Sequence, residues 1–70
     1  MDQGDKAIIG AIAKYRYLYG VDWPELAAAA RMGSSTLRIR MKAPETFSIG
    51  ELRLIRDKLS IPGEEWAHII

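Results

Sequence analysis

Between Arg31 and Lys42 the chain carries Arg31, Arg38, Arg40 and Lys42 and no acidic residue, with Ser34, Ser35 and Thr36 ahead of the last three. Guanidinium and ammonium groups attract phosphate, and a guanidinium also bonds guanine through two parallel N–H groups. Hydroxyls bond phosphate oxygens or base edges. The flanks carry the opposite sign. Residues 1–30 balance to −1, with Lys6, Lys14 and Arg16 against Asp2, Asp5, Asp22 and Glu25. Residues 43–70 balance to −2, with Arg53, Arg56 and Lys58 against Glu45, Glu51, Asp57, Glu64 and Glu65. The segment 31–42 therefore stands at +4, which the net charge of +1 conceals. A local patch of this kind is the electrostatic footprint of a nucleic-acid binder, although a solvated helix face has the same composition.

Other chemistry has few residues to work with. His68 is the only histidine and cysteine is absent, so neither a zinc site nor a disulfide framework is expected. Ser34 and Ser35 have no nearby base to activate them as nucleophiles. The glycines are scattered as helix punctuation, not gathered into a phosphate-cradling loop. Glu64-Glu65 suits a helix start better than an acid/base pair. The expectation is a chain that is not an enzyme and uses no metal or cofactor.

The basic segment needs a helix to present it. Asp22, Pro24 and Glu25 form a helix start, an Asp version of the capping box with proline in the first turn. Leu26 to Ala30 continues it with one Leu and four Ala, a face with so little bulk that another helix can approach. Gly33 is the expected breaker, through a positive φ. Ser34 or Ser35 is the expected cap of the next helix. Leu37 and Met41, spaced i, i+4, should face the core. Ser34, Ser35, Arg38, Ile39 and Lys42 then fall on the flanks and outer face, and Arg40 falls between the two sets.

The stretch 22–42 resembles the Cro/CI repressor-like (XRE) helix-turn-helix family. Leu26-Ala27, Met32, Ser35, Thr36 and Leu37 follow its pattern of Leu-Ala, glycine after three residues, an apolar residue, a polar run, then Thr and Leu or Ile. The loop Lys42-Ala43-Pro44-Glu45-Thr46-Phe47 and the following Gly50-Glu51-Leu52 look like small phage-type members. One position departs: Arg31 stands where the family usually has glycine, and Gly33 comes two residues later. The resemblance implies an all-α, compact five-helix lambda-repressor-like DNA-binding domain with a helix-turn-helix. It also implies a transcriptional regulator, a phage or prophage Cro/CI-like repressor that occupies an operator in double-stranded DNA and excludes polymerase. With residues 34–42 in a major groove, Ser34, Ser35, Arg38 and Ile39 are the candidate base contacts, Ile39 through a thymine methyl group. Arg16, Arg31, Arg40 and Lys42 are the candidate phosphate contacts.

The remaining elements read as support. Ile8, Ala11, Ile12, Tyr15 and Tyr19 recur at helical spacing over about residues 5–19, and Gly20 ends that helix. Gly10, mid-helix, suggests a close helix contact. Trp23 is either an apolar plug at the helix junction or a donor to DNA phosphate. Tyr15, Tyr17 and Tyr19 could stack single-stranded bases, but at least two of them read more simply as core or core edge. After the 43–47 loop, Phe47 staples a helix over about residues 49–59, capped by Ser48 and Glu51, with Leu52, Ile55 and Leu59 buried. A last short helix follows Ser60-Ile61-Pro62-Gly63. Trp66, Ile69 and Ile70 crowd its end and are candidates for core packing, for a homodimer interface, or for a second function altogether, a small helical protein-protein interaction module.

Seventy residues bound all this to one domain, 1–70. No run approaches the ~20 apolar residues of a membrane span, and the polar start MDQGDK is unlike a signal peptide, so a cytoplasmic protein is expected.

Overall fold

The computed structural model describes residues 3–66, with side chains for residues 4–65. Five α-helices follow in chain order among these residues: α1 (Gln3–Tyr19), α2 (Trp23–Ala29), α3 (Ser34–Lys42), α4 (Ile49–Leu59) and α5 (Gly63–Trp66). A 3-10 turn at Pro44–Thr46 joins α3 to α4, and the described residues form no strand. The 3.6-residue spacing of apolar side chains decides which face of each helix turns inward. Ile8, Ala11, Ile12 and Tyr15 bury one stripe of α1, and Leu52, Ile55 and Leu59 one stripe of α4. α1 packs on α4, while α2 packs on both α3 and α4. Ala27 and Ala30 are buried there, so the small alanine face brings α2 close to its neighbours.

Two of the three predicted side-chain caps are in place, at the starts of α2 and α4. Asp22 Oδ1 accepts from the Glu25 amide at 2.8 Å. The Glu25 carboxylate does not close the box; it pairs with Lys58 at 2.9 Å and ties α2 to α4. At α4 the box is complete: the Glu51 amide donates to Ser48 Oγ at 3.0 Å, and the Ser48 amide donates to Glu51 Oε1 at 2.9 Å. Phe47 and Leu52, the two staple positions, are both buried.

The helix ends hold the main corrections. Three helices stop in the same way, at a left-handed residue: Gly20 at φ 64°, Arg31 at φ 60° and Ser60 at φ 53°. In each case the next amide reaches back five residues, Val21 to the Arg16 carbonyl at 3.0 Å, Met32 to Ala27 at 3.0 Å and Ile61 to Arg56 at 3.1 Å. The residue after each reversal is apolar: Val21 and Ile61 are buried and Met32 packs against the core. Gly33 is therefore not the breaker. It is extended, at φ −78° and ψ 160°, and holds the cap position of α3 without a side-chain hydrogen bond. Ser34 and Ser35 lie inside the first turn of α3, not at its cap. Gly10 is exposed, and a Cβ there would meet nothing within 4 Å, so no close helix contact explains it. Tyr19 leaves the apolar stripe at the end of α1 and is 57% exposed.

Left-handed backbone costs a non-glycine residue about 1–2 kcal/mol, and glycine gives back about half of that through its freer unfolded chain. Arg31→Gly is therefore expected to stabilise the protein by about 0.5–1 kcal/mol in urea unfolding. A midpoint that stays or falls would mean that the Arg31 side chain holds the turn by a contact of its own.

Candidate nucleic-acid interface

Leu37 anchors α3, with no exposed surface, and half-buried Met41 follows one turn later. That fixes the rotation of the helix. Ser34, Arg38 and Lys42 form one exposed row at four-residue spacing, and Ser35 and Ile39 form the next. Ile39 is 62% exposed, unusual for a β-branched apolar residue on a helix of nine. Arg31 is exposed on the turn just before α3. Among the described residues, Arg31, Arg38 and Lys42 enter no ion pair, whereas Lys14, Arg40, Arg56 and Lys58 each have a carboxylate partner. Among the same residues Lys6, Arg16 and Arg53 are unpaired as well, so three of the six unpaired cations lie on α3 and the turn that leads into it, where no acid stands beside them.

Arg40 parts company with the other basic residues of the segment. Its Nη1 donates to the Thr46 carbonyl at 3.3 Å and its Nε lies 3.3 Å from Glu51 Oε1. Half-buried in this way, it joins the end of α3 to the start of α4 and is not free to meet a phosphate. Arg16 is also held by its own chain. Its Nη1 donates to the Val21 carbonyl at 3.1 Å, and its guanidinium lies 4.3 Å from the centre of the Trp23 ring. A cation over an indole face contributes about 0.5–2 kcal/mol, more as the pair loses water. Trp23 is 39% exposed, so it is not a core plug. It borders a cleft of ≈ 430 Å³ together with Pro24, Ser34, Leu37, Arg38 and Met41. The start of α2 and the outer row of α3 face each other across it.

The three tyrosines do not form a stacking platform. Tyr15 is buried, and its ring stacks against Tyr19 with centroids 6.3 Å apart. Tyr17 is 80% exposed and points away from that pair, two residues off along the helix. The Tyr15 hydroxyl donates to Glu65 Oε2, and Lys14 lies 3.7 Å from Glu65 Oε1. Glu65, expected only to favour a helix start, is therefore also the link that docks α5 on α1. Trp66, Ile69 and Ile70, the candidate dimer residues, lie outside the described side chains.

The bond to Glu65 raises the Tyr15 hydroxyl from its usual 10.0 to about 12, with burial and the Glu65 charge adding to it. The folded value exceeds the unfolded one, so this contribution is whole below pH 10.0 and is lost as pH rises toward about 12. Urea midpoints measured across that window should fall more steeply for the native protein than for Tyr15→Phe. Parallel curves would remove Tyr15 as the source.

Among the described residues no group of histidine, cysteine and carboxylates could hold a metal ion, and no helix is long and apolar enough to cross a membrane. In comparisons with known proteins, no family model, curated protein or solved structure matches this chain.

Proposed function

We propose that the protein is a sequence-specific regulator of transcription that binds double-stranded DNA through α3, in the manner of a small phage or prophage Cro/CI-like repressor. The observation that carries this reading is the division of α3. Leu37 is fully buried, while Ser34, Ser35, Arg38, Ile39 and Lys42 are all exposed on the other side, with no acid among them. That is the equipment for a major groove: hydroxyls and a guanidinium for base edges, a branched apolar side chain for a thymine methyl, and a lysine for the backbone. The four-residue connection 30–33 between α2 and α3 supports a helix-turn-helix, as does the left-handed Arg31 at the position where the resembling family has glycine.

Arg31 and Lys42 flank the groove helix as phosphate contacts, and Arg16, in the last turn of α1, adds a third by exchanging the Val21 carbonyl for a phosphate. A domain of this size makes few contacts. Two copies, joined through Trp66, Ile69 and Ile70, would bind half-sites about one helical turn apart, roughly 34–36 Å. Repression follows from occupying the operator.

The test is an NMR titration of the labelled protein with a random-sequence duplex at low and moderate salt. Shifts gathered on residues 31–42 and Arg16, weakening as salt rises, are the expected result. A folded protein with no shift there at low salt would end the reading, and the apolar C-terminal residues would become the surface to probe for a protein partner.

A further inference from the structure

We infer that the cleft between the start of α2 and α3 is a binding site for a planar aromatic monoanion, an aryl carboxylate. Its volume of ≈ 430 Å³ falls within the range of small-molecule sites, about 300–1,000 Å³. Trp23 and Pro24 line one side, and Ser34, Leu37, Arg38 and Met41 the other. A flat indole beside an apolar prolyl ring, opposite a polarizable thioether, suits a flat aromatic body.

The polar groups settle the charge. Arg38 is the only charged residue on the lining, and among the described residues no carboxylate neutralises it. Ser34 stands one turn earlier on the same row of α3, and the first turn of that helix contains no acid. A carboxylate can therefore accept from the Arg38 guanidinium and from the Ser34 hydroxyl at once, with its ring lying between Trp23 and Met41. One cation matches one negative charge, and Arg38 repels a cationic ligand. Arg16, stacked on the indole at 4.3 Å, holds Trp23 in the wall and acts as a positioning residue. Ser34 and Arg38 also belong to the face assigned to the duplex, so ligand and duplex would exclude each other. That corollary rests on the DNA reading; the site itself does not.

The experiment is run without DNA, so that the two readings fail separately. Labelled protein is titrated with 1-naphthoate and, in parallel, with 1-naphthalenemethanol, which keeps the ring and replaces the carboxylate with a neutral hydroxymethyl group. The expected result is a saturable shift of the Trp23 indole N–H and of amides in residues 34–41, with the anion about tenfold tighter than the alcohol. Arg38→Gln, at an exposed position, should bring the two ligands to equal affinity without unfolding the protein. Equal affinities in the native protein, shifts scattered away from the cleft, or no saturation at millimolar ligand would each overturn the assignment.

Discussion

Leu37→Ala is expected to destabilise the protein by about 2–5 kcal/mol, as removal of a fully buried leucine does when the space left behind cannot close. A chain of 70 residues has a total stability on the order of 4–10 kcal/mol, so the loss is about a fifth of the whole or more. The site favours the upper half of the range. Leu37 is the only residue of α3 in the fully buried core, with Met41 half-buried behind it. Ile39→Ala, two residues along and 62% exposed, should stay within about 0.5 kcal/mol. Urea unfolding followed by circular dichroism measures both. Equal losses from the two variants would mean that α3 is not held by Leu37, and the rotation assigned to its outer face would fall with it.

The elements that the sequence made legible are those specified locally. Apolar periodicity placed α1 and α4, and side-chain caps placed the starts of α2 and α4, because each signal lies within one or two turns of the residue it governs. The helix ends were less legible. Gly20 announced itself, but Arg31 and Ser60 take the same left-handed conformation without being glycine. Their backbone cost of about 1–2 kcal/mol is smaller than the gain from burying the apolar residue that follows, at about 1.5–3 kcal/mol for a large aliphatic side chain. Ile61 is the clear case, buried directly after Ser60. Composition alone does not reveal which of several polar residues will accept that cost.

The candidate interface divides along the same line. The outer row of α3 could be read from four-residue spacing once Leu37 was placed inside. Arg40 could not, because its partners are Thr46 and Glu51, on the turn and helix that follow. The sequence marks Glu51 as a cap of α4, and nothing local signals that the same carboxylate also meets an arginine. The sequence does not decide between plug and donor for Trp23 for a related reason. Its ring is met by Arg16, which reaches it from the end of α1 across Gly20.

Separating the two kinds of basic residue on α3 gives the second large effect. On the proposed DNA-binding reading, Arg38→Ala is expected to lower affinity for a selected operator by about 1–3 kcal/mol and to relax the sequence preference at one base pair. Arg31→Gln with Lys42→Gln should instead weaken operator and random duplex alike. Each lost phosphate contact lowers the slope of log affinity against log salt by about 0.9, so the pair should lower it by nearly two. Arg40→Gln supplies the internal control. Its guanidinium is already engaged by Thr46 and Glu51, so it should reduce stability and leave the salt slope near the native value. Affinities measured at two or more salt concentrations on both duplexes distinguish these outcomes. If Arg38→Ala weakens both duplexes equally, Arg38 is a backbone contact and base reading shifts to Ser34, Ser35 and Ile39. If Arg40→Gln lowers the slope as far as the outer pair does, the ion pair with Glu51 opens on DNA, and the basic face of α3 is one residue wider than the free protein presents.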